Sequence, residues 1–107
     1  MHEFGSVQEA IIRLRKMRPL PRKVRITLGK MRGSVRGFEE MLRENIRDTE
    51  LEGLQFETEH IPVEIRCPCG LEGMVRIMEH VHYVRCPKCG QVADVLKGNE
   101  LNIEVLE

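Results

Sequence analysis

Aromatic residues are scarce in this chain of 107 residues, which has three Phe, one Tyr and no Trp. Hydrophobic residues still make up 41% of the sequence, so we expect a core that is mainly aliphatic. The scarcity argues against a protein that stacks the bases of single-stranded nucleic acid, because such stacking uses aromatic side chains. The length allows one compact domain or two very small ones, so a large enzyme with a deep cleft is not expected.

The chain also has no net charge and no long apolar run. Its 17 Lys and Arg residues balance 17 Asp and Glu residues, so no overall field attracts nucleic acid or an anionic membrane. No apolar run approaches membrane-spanning length, and residues 1–6 lack the basic start of a signal peptide. We therefore expect a cytoplasmic protein with no membrane partner. In the cytosol thiols stay reduced, and paired cysteines there more often hold a metal than a disulfide.

The charges are unevenly distributed along the chain. Nine Lys and Arg residues and no acid lie between Ile11 and Val35, whereas eight acids and two arginines lie between Gly37 and His60. We interpret both segments as solvated faces that neutralise each other, and we expect no nucleic-acid partner. A zinc-ribbon adaptor that binds nucleic acid or protein through the basic segment is the alternative. No nucleophile–base pair or phosphate loop stands out, so we do not expect an enzyme.

Two amphipathic helices are predicted. Ser6 and Glu9 form a capping-box pattern, in which a hydroxyl and a carboxylate satisfy free amides, so the first helix should begin at Ser6. Ser34 can cap a second helix in the same manner. The apolar residues of both helices recur at spacings of three and four. They are Val7, Ala10, Ile11, Leu14 and Met17 in the first helix, and Val35, Phe38, Met41, Leu42 and Ile46 in the second.

Three segments alternate apolar and polar residues as half-buried strands do. They are residues 23–28, a longer strand that starts at Leu54, and the tail 101–105. After His60 the alternation shifts by one residue, and Pro62 cannot donate a ladder hydrogen bond. This combination predicts a bulge near an edge of the sheet.

The order of these elements predicts the fold class and the domains. We expect an α/β protein of the α+β kind, with two helices on a small three-stranded sheet and a zinc-ribbon module inserted before the last strand. Residues 1–65 together with 97–107 should form a discontinuous helix-and-sheet domain. Residues 66–96 should form the inserted zinc-binding domain.

Four cysteines occur in two closely spaced pairs. Cys67 and Cys69 form the first pair, Cys86 and Cys89 form the second, and sixteen residues separate the pairs. This spacing is close to that of zinc ribbons, in which two tight turns supply four thiolates to one ion. The segment between the pairs has little apolar area and should fold only with metal bound. We therefore predict a structural Zn²⁺ site without a catalytic role.

The first cysteine pair leaves two alternatives open. It has one intervening residue where a zinc knuckle normally has two, so His80 or His82 remains an alternative ligand for one position. A Cys-x-Cys paired with a Cys-x-x-Cys also resembles the zinc switch of redox-regulated chaperones. A redox-sensitive zinc switch is therefore a second alternative function.

The first two residues can form a metal chelate. The α-amine of Met1, together with the amide nitrogen and imidazole of His2, closes adjacent five- and six-membered rings on one ion. Nitrogen donors in one plane suit Ni(II) or Cu(II). His80 and His82 could offer such an ion a transient further ligand.

Together these features resemble the hydrogenase nickel-incorporation proteins. The resemblance covers the whole chain in matching order. It is carried by residues 1–3 directly before an amphipathic helix, by residues 24–29, 51–57 and 61–67, and by the four-cysteine insert. These proteins are small nickel metallochaperones of nickel–iron hydrogenase maturation, and in some organisms they also serve urease.

The resemblance implies a function, metal sites and partners. It implies a metallochaperone that binds Ni²⁺ as cargo through backbone nitrogens and the histidine of Met1, His2 and Glu3. It further implies structural zinc at the four cysteines. The implied partners are a nickel-delivering GTPase and the hydrogenase large-subunit precursor, and a homodimer is left open.

Overall fold

The computed structural model describes residues 2–78 and 81–107, without the side chains of His2 and Glu3. Helices and strands alternate in the first half of the chain, and strands predominate in the second. Their bounds are α1 His2–Arg15, β1 Lys23–Gly29, a 3-10 helix Lys30–Arg32, α2 Val35–Asn45, β2 Gln55–Ile61, β3 Val63–Arg66, β4 Glu72–Val75, β5 Asp94–Lys97 and β6 Leu101–Val105.

The six strands form two three-stranded sheets. The first sheet has the order β2-β1-β6, with β1 parallel to β2 and antiparallel to β6. The second sheet has the order β4-β3-β5 and is antiparallel throughout. A parallel pair needs a crossover connection, and the segment containing α2 supplies it. The predicted fold class, two helices on a small sheet with a cysteine-bearing module before the last strand, is confirmed, and this module contributes a sheet of its own.

The first core lies between the two helices and one face of the first sheet. Alternate residues of β1, Val24, Ile26 and Leu28, are completely buried, as the alternation predicts. The helices contribute Val7, Ala10, Leu14, Phe38 and Leu42, and the connections and β6 add Ile46, Leu51, Leu54 and Leu101. The core is aliphatic apart from Phe38. Neither α-helix in residues 2–78 and 81–107 has the length and apolar character needed to cross a membrane.

The second core is smaller and includes two cysteines. Its buried members are Met31, Val63, Ile65, Cys67, Val84, Cys86 and Ala93. Met31 belongs to the 3-10 helix that follows β1, so a residue from the connection between β1 and α2 completes the core of the second sheet. The apolar area that this cluster can bury is small, which indicates that the second sheet needs an additional source of stability.

The start of α1 differs from the prediction. The helix begins at His2, and Ser6 lies inside it as a buried residue with 5% exposure. The hydroxyl of Ser6 accepts a hydrogen bond from Nη1 of Arg32 at 3.2 Å, so this side chain makes a tertiary contact instead of capping the helix. The cap predicted for α2 is confirmed, because Oγ of Ser34 accepts from the amide of Gly37 at 3.0 Å.

The shift in alternation after His60 marks a change of sheet. The predicted long strand is interrupted at Pro62, so that β2 belongs to the first sheet and β3 to the second. The predicted bulge is therefore wrong as an account of this shift. A register irregularity does occur, but it lies between β3 and β5 at Glu64 and Ile65. Pro62 ends the pairing of one strand without an unsatisfied amide, since it has no backbone N–H.

The two sheets meet at a close backbone crossing. Gly29 ends β1, and a Cβ placed on it would lie 2.3 Å from the carbonyl carbon and oxygen of Gly98. The amide of Gly29 donates to the carbonyl of Glu100 at 2.8 Å, and the amide of Met31 donates to the carbonyl of Gly98 at 2.9 Å. The segment before β6 therefore packs directly on the end of β1.

We expect Gly29→Ala to destabilise the protein because the two backbones would have to separate. Overpacking of this kind costs about 1–3 kcal/mol, which corresponds to a fall in Tm on the order of 10 °C. Thermal unfolding followed by circular dichroism measures the change. Gly5→Ala is the matched control, since Gly5 is helical and a Cβ at this position would meet no atom within 4 Å beyond its chain neighbours and the backbone of its own helix. An unchanged Tm for Gly29→Ala would contradict the proposed crowding.

Candidate metal centre

Two tight turns bring the four cysteines together. Cys67 follows β3 directly, and the amide of Gly70 donates to its carbonyl at 2.9 Å. In the second turn the amide of Gly90 donates to the carbonyl of Cys86 at 2.8 Å. Gly70 and Gly90 have φ values of 102° and 79°, a conformation that residues with a Cβ rarely adopt. The glycine after each pair therefore lets the backbone turn back toward the sulfurs.

The geometry of the cluster suits one tetrahedral ion. All four Sγ atoms lie within 4.8 Å of one another. Sγ of Cys67 is 3.4 Å from Sγ of Cys89, and Sγ of Cys69 is 3.7 Å from Sγ of Cys86, so the cysteines are free thiols. Zinc–sulfur bonds of about 2.3 Å at tetrahedral angles place sulfurs about 3.8 Å apart. The single-residue spacing of the first pair still allows both of its thiols to reach the cluster.

The two buried sulfurs, those of Cys67 and Cys86, have different electrostatic environments. Burial raises the pKa of Cys86. Amide hydrogen bonds from Cys89 and Lys88, together with the neighbouring thiols, outweigh this effect and lower the pKa to about 7. The amide of Cys69 lowers the pKa of Cys67, but burial and the surrounding thiols raise it to about 12. Without a cation, the Cys86 thiol thus ionises more readily than the Cys67 thiol. A divalent cation among the sulfurs favours the ionised form of each thiol that binds it.

The donor set favours a structural metal over a catalytic one. Within residues 2–78 and 81–107, the four cysteines are the only group of three or more His, Cys, Asp or Glu side chains close enough to share an ion. Four thiolates fill a tetrahedral shell, so no position remains for water or substrate. His82 is not part of this group, and His80 lies outside the described residues.

His82 lies beside α1. It lines a cavity of about 290 Å³ between the first turns of α1, the 3-10 helix and the segment before β6. The other lining residues are Gly5, Ser6, Met31, Arg32, Val81 and Asn99. Residues 81–84 do not form a strand.

The residues predicted to bind nickel lie only partly within the described structure. Met1 lies outside it, and so do the side chains of His2 and Glu3. The backbone of His2 and Glu3 forms the beginning of α1. His60 belongs to neither of the predicted metal sites. It lies on β2, where its Nε2 donates to the carbonyl of Gly33 at 3.0 Å.

Sequence reasoning missed the roles of Met31 and Arg32. Met31 is 5% exposed in the second core, and Arg32 contacts Ser6, Glu9 and the carbonyl of Asn99. One signal could have indicated Met31, because an apolar residue between two closely spaced glycines is unusual in a polar turn. The partners of Arg32 come from distant parts of the chain, so no local pattern identifies them.

Comparisons with known proteins place the chain in a family. A family model described as hydrogenase/urease nickel incorporation, metallochaperone, HypA, matches residues 1–107. A hydrogenase maturation factor HypA of Methanothermobacter thermautotrophicus is 43% identical over 60 residues, which cover 52% of this chain and 49% of that protein. Its counterpart in Methanosarcina acetivorans is 29% identical over 69 residues, which cover 52% of each chain. The matched region thus spans about half the length of these curated relatives.

Solved structures share the fold over nearly the full chain. The solution structure of the Ni metallochaperone HypA from Helicobacter pylori has a TM-score of 0.63 and 18% identity, and the match covers 100% of this chain and 97% of that one. The solution structure of a HypA protein has a TM-score of 0.60 and 18% identity, with 100% and 95% coverage. At this identity the likeness shows the fold alone. Because the family model matches residues 1–107, the chain belongs to the HypA family of metallochaperones for hydrogenase/urease nickel incorporation.

Proposed function

We propose that the protein binds Ni²⁺ at residues 1–3 and delivers it during maturation of a nickel enzyme. The observation that carries this proposal is the family match over residues 1–107, which includes Met1, His2 and Glu3. In a chain that begins at Met1, the backbone nitrogens and the imidazole of His2 would bind nickel in a plane. The chain then acts as a carrier of its cargo and catalyses no reaction.

The position of α1 supports a nickel site built from backbone nitrogens. The helix begins at His2, and the first four amides of an α-helix have no carbonyl partner within that helix. The amide nitrogen of His2 is therefore not committed to a helical hydrogen bond. A metal can replace its proton without breaking the helix.

We further propose that the four cysteines hold Zn²⁺ as a structural ion. The support is the set of Sγ distances, all within 4.8 Å, together with the two tight turns that carry the sulfurs. Zinc bound there supplies a crosslink between the segment after β3 and the segment before β5. We propose residues 1–65 with 97–107 as the nickel-binding domain and residues 66–96 as the zinc-binding domain. Residues 63–65 and Lys97 pair within the second sheet, so they join the two domains.

The proposed partners follow from nickel delivery. A nickel-delivering GTPase would exchange the metal with this protein, and the hydrogenase large-subunit precursor would receive it, with urease as the alternative client. We place this activity in the cytoplasm, and a homodimer is compatible with it. His82 is a candidate for a further nickel ligand, because it lines a cavity with Gly5 and Ser6 near the start of α1.

The structure argues against the alternative of a nucleic-acid adaptor. Of the nine basic residues between Ile11 and Val35, five pair with carboxylates and are therefore partly neutralised. They are Arg13, Arg15, Lys23, Arg25 and Arg32. Glu57 and Glu104 flank Arg25 on the exposed face of the first sheet and raise its pKa. The basic segment is thus interleaved with acids of other elements.

We expect no saturable binding to duplex or single-stranded DNA at physiological salt, up to about 100 µM protein. Fluorescence anisotropy of labelled oligonucleotides measures this directly. Tight binding that weakens steeply as salt is added would support the adaptor instead, since it would show release of counterions from phosphates.

The direct test of the nickel proposal is calorimetry with Ni²⁺ on protein that begins at Met1 with a free α-amine. Binding that requires both this amine and His2 supports the proposal. Equal nickel affinity after either group is removed would contradict it.

A further inference from the structure

Met31 joins the second core to the rest of the molecule. It is 5% exposed and lies in the buried cluster that contains Cys67 and Cys86, two of the four cysteines. Its backbone belongs to the 3-10 helix after β1, outside the second sheet. The backbone amide of Met31 donates to the carbonyl of Gly98 at 2.9 Å, which fixes the point at which the side chain enters the cluster.

The neighbouring residue, Arg32, holds the same point against α1. Its Nη1 donates to Oγ of Ser6 at 3.2 Å and pairs with Oε2 of Glu9 at 3.0 Å. Its Nε donates to the carbonyl of Asn99 at 2.8 Å. The side chain of Arg32 is only 25% exposed, so these bonds are partly shielded from water. Arg32 therefore connects α1 to the segment on which Met31 is anchored.

We infer that Met31 is a positioning residue for the four-cysteine centre, and that it links the retention of metal there to the placement of α1. The side chain packs in the same buried cluster as Cys67 and Cys86, and that cluster has few other apolar members. Truncation of the side chain would leave a cavity in this cluster and allow the cysteine turns to open more often. Arg32 extends the link, because its bonds to Ser6 and Glu9 hold the 3-10 helix against α1. This inference rests on the proposed binding of zinc by the cysteines.

The test is the rate at which the purified, full-length protein loses zinc to an excess of the chromogenic chelator 4-(2-pyridylazo)resorcinol. We expect Met31→Ala to accelerate release by at least about tenfold, because truncation of a buried methionine removes most of its packing. Met31→Leu keeps the volume, and its rate of zinc release should stay within about twofold of the rate of the parent protein. A nearly unchanged rate in Met31→Leu would show that lost packing volume, and not the loss of methionine itself, explains the effect of Met31→Ala.

The matched control is Met41→Ala. Met41 packs on the first core, so the same substitution there should destabilise the protein without changing zinc release by more than about twofold. Thermal unfolding of each variant shows whether both substitutions lower Tm. Equal zinc release by Met31→Ala and Met41→Ala would overturn the inference, since a general loss of stability would then explain both.

A second pair of variants tests the link to α1. Arg32→Gln should increase the release rate by about threefold, because glutamine cannot bond Ser6, Glu9 and Asn99 together. Arg36→Gln is its control, because the Arg36 side chain is 88% exposed and pairs with Glu40 one turn along α2. An unchanged rate of zinc release in Arg32→Gln would contradict the proposed link between α1 and the metal centre. A parent protein that binds neither zinc nor cobalt would contradict the zinc proposal itself, independently of Met31.

Discussion

Protein with four residues, Gly-Ser-Gly-Ser, placed before Met1 is expected to lose its nickel site although His2 is still present. The proposed chelate closes a five-membered ring between the α-amine and the amide nitrogen of His2, and an extension moves the amine out of reach. We expect nickel affinity to fall at least about a hundredfold, since even the loss of an outer partner of a metal ligand typically costs ten- to a hundredfold. Calorimetry with Ni²⁺ measures the change.

A single added residue is a different experiment. It makes the histidine the third residue, so that the amine, two amides and the imidazole complete another planar set of nitrogens. Such a variant should still bind nickel and give the visible d–d band of a planar Ni(II) complex. His2→Ala, by contrast, should bind as weakly as the four-residue extension. His60→Gln is the control and should bind like the parent protein, because glutamine can still donate to the carbonyl of Gly33 that His60 contacts.

The nickel complex should also depend on pH in a defined direction. The α-amine and imidazole have ordinary pKa values of about 7.7–8.0 and 6.5, and both must lose their protons to bind metal. Affinity and the visible band should therefore decrease as the pH falls from about 8 to 6. Nickel binding of equal strength in the parent, extended and His2→Ala proteins would place the nickel site elsewhere.

The first sheet could be predicted from sequence because its determinants are local. β1 and β6 alternate apolar and polar residues, and the structure gives Lys23–Gly29 and Leu101–Val105 where residues 23–28 and 101–105 were expected. The cap at Ser34 is equally local, since its partner is the amide of Gly37, three residues on. Such signals need no knowledge of the tertiary structure.

The errors arose where a distant residue decides the outcome. Ser6 matches a helix cap in sequence, but the hydroxyl bonds Arg32, and the helix extends to His2. The shift in alternation at Pro62 is the same whether one residue is bulged or the strand changes sheets. Only the pairing of β3 with β4 and β5 distinguishes the two. Local pattern carries no information about these pairings.

The candidate metal centre illustrates both cases. The spacing of Cys67, Cys69, Cys86 and Cys89 predicted that they would converge, and their sulfurs lie within 4.8 Å of one another. The packing of Met31 in this cluster could not be predicted in this way, because 31 intervening positions and a change of sheet separate it from the buried strand residue Val63. Sequence spacing thus identified the thiols but not the packing that surrounds them.

Removal of the metal with a chelator is expected to unfold the second sheet while the first sheet remains folded. Among the residues that the structure describes, the second core contains seven buried ones, of which two are cysteines, against twelve in the first core. Without a crosslink between its two turns, this cluster buries too little apolar area to offset the chain entropy of the insert. The first core has no such dependence, because its helices and strands bury aliphatic residues against one another.

Amide hydrogen exchange measures the protection of each sheet separately. After treatment with EDTA, amides in β3 and β5 should exchange at least about a hundredfold faster, whereas amides in β1 should remain protected. Addition of Zn²⁺ should restore protection, and addition of Mg²⁺ should not, since magnesium prefers oxygen ligands to thiolates. Cys67→Ser should resemble the chelated protein even with zinc present. If metal-free protein keeps full protection in β3 and β5, the second sheet is stable without a bound ion. This result would contradict the structural role proposed for zinc.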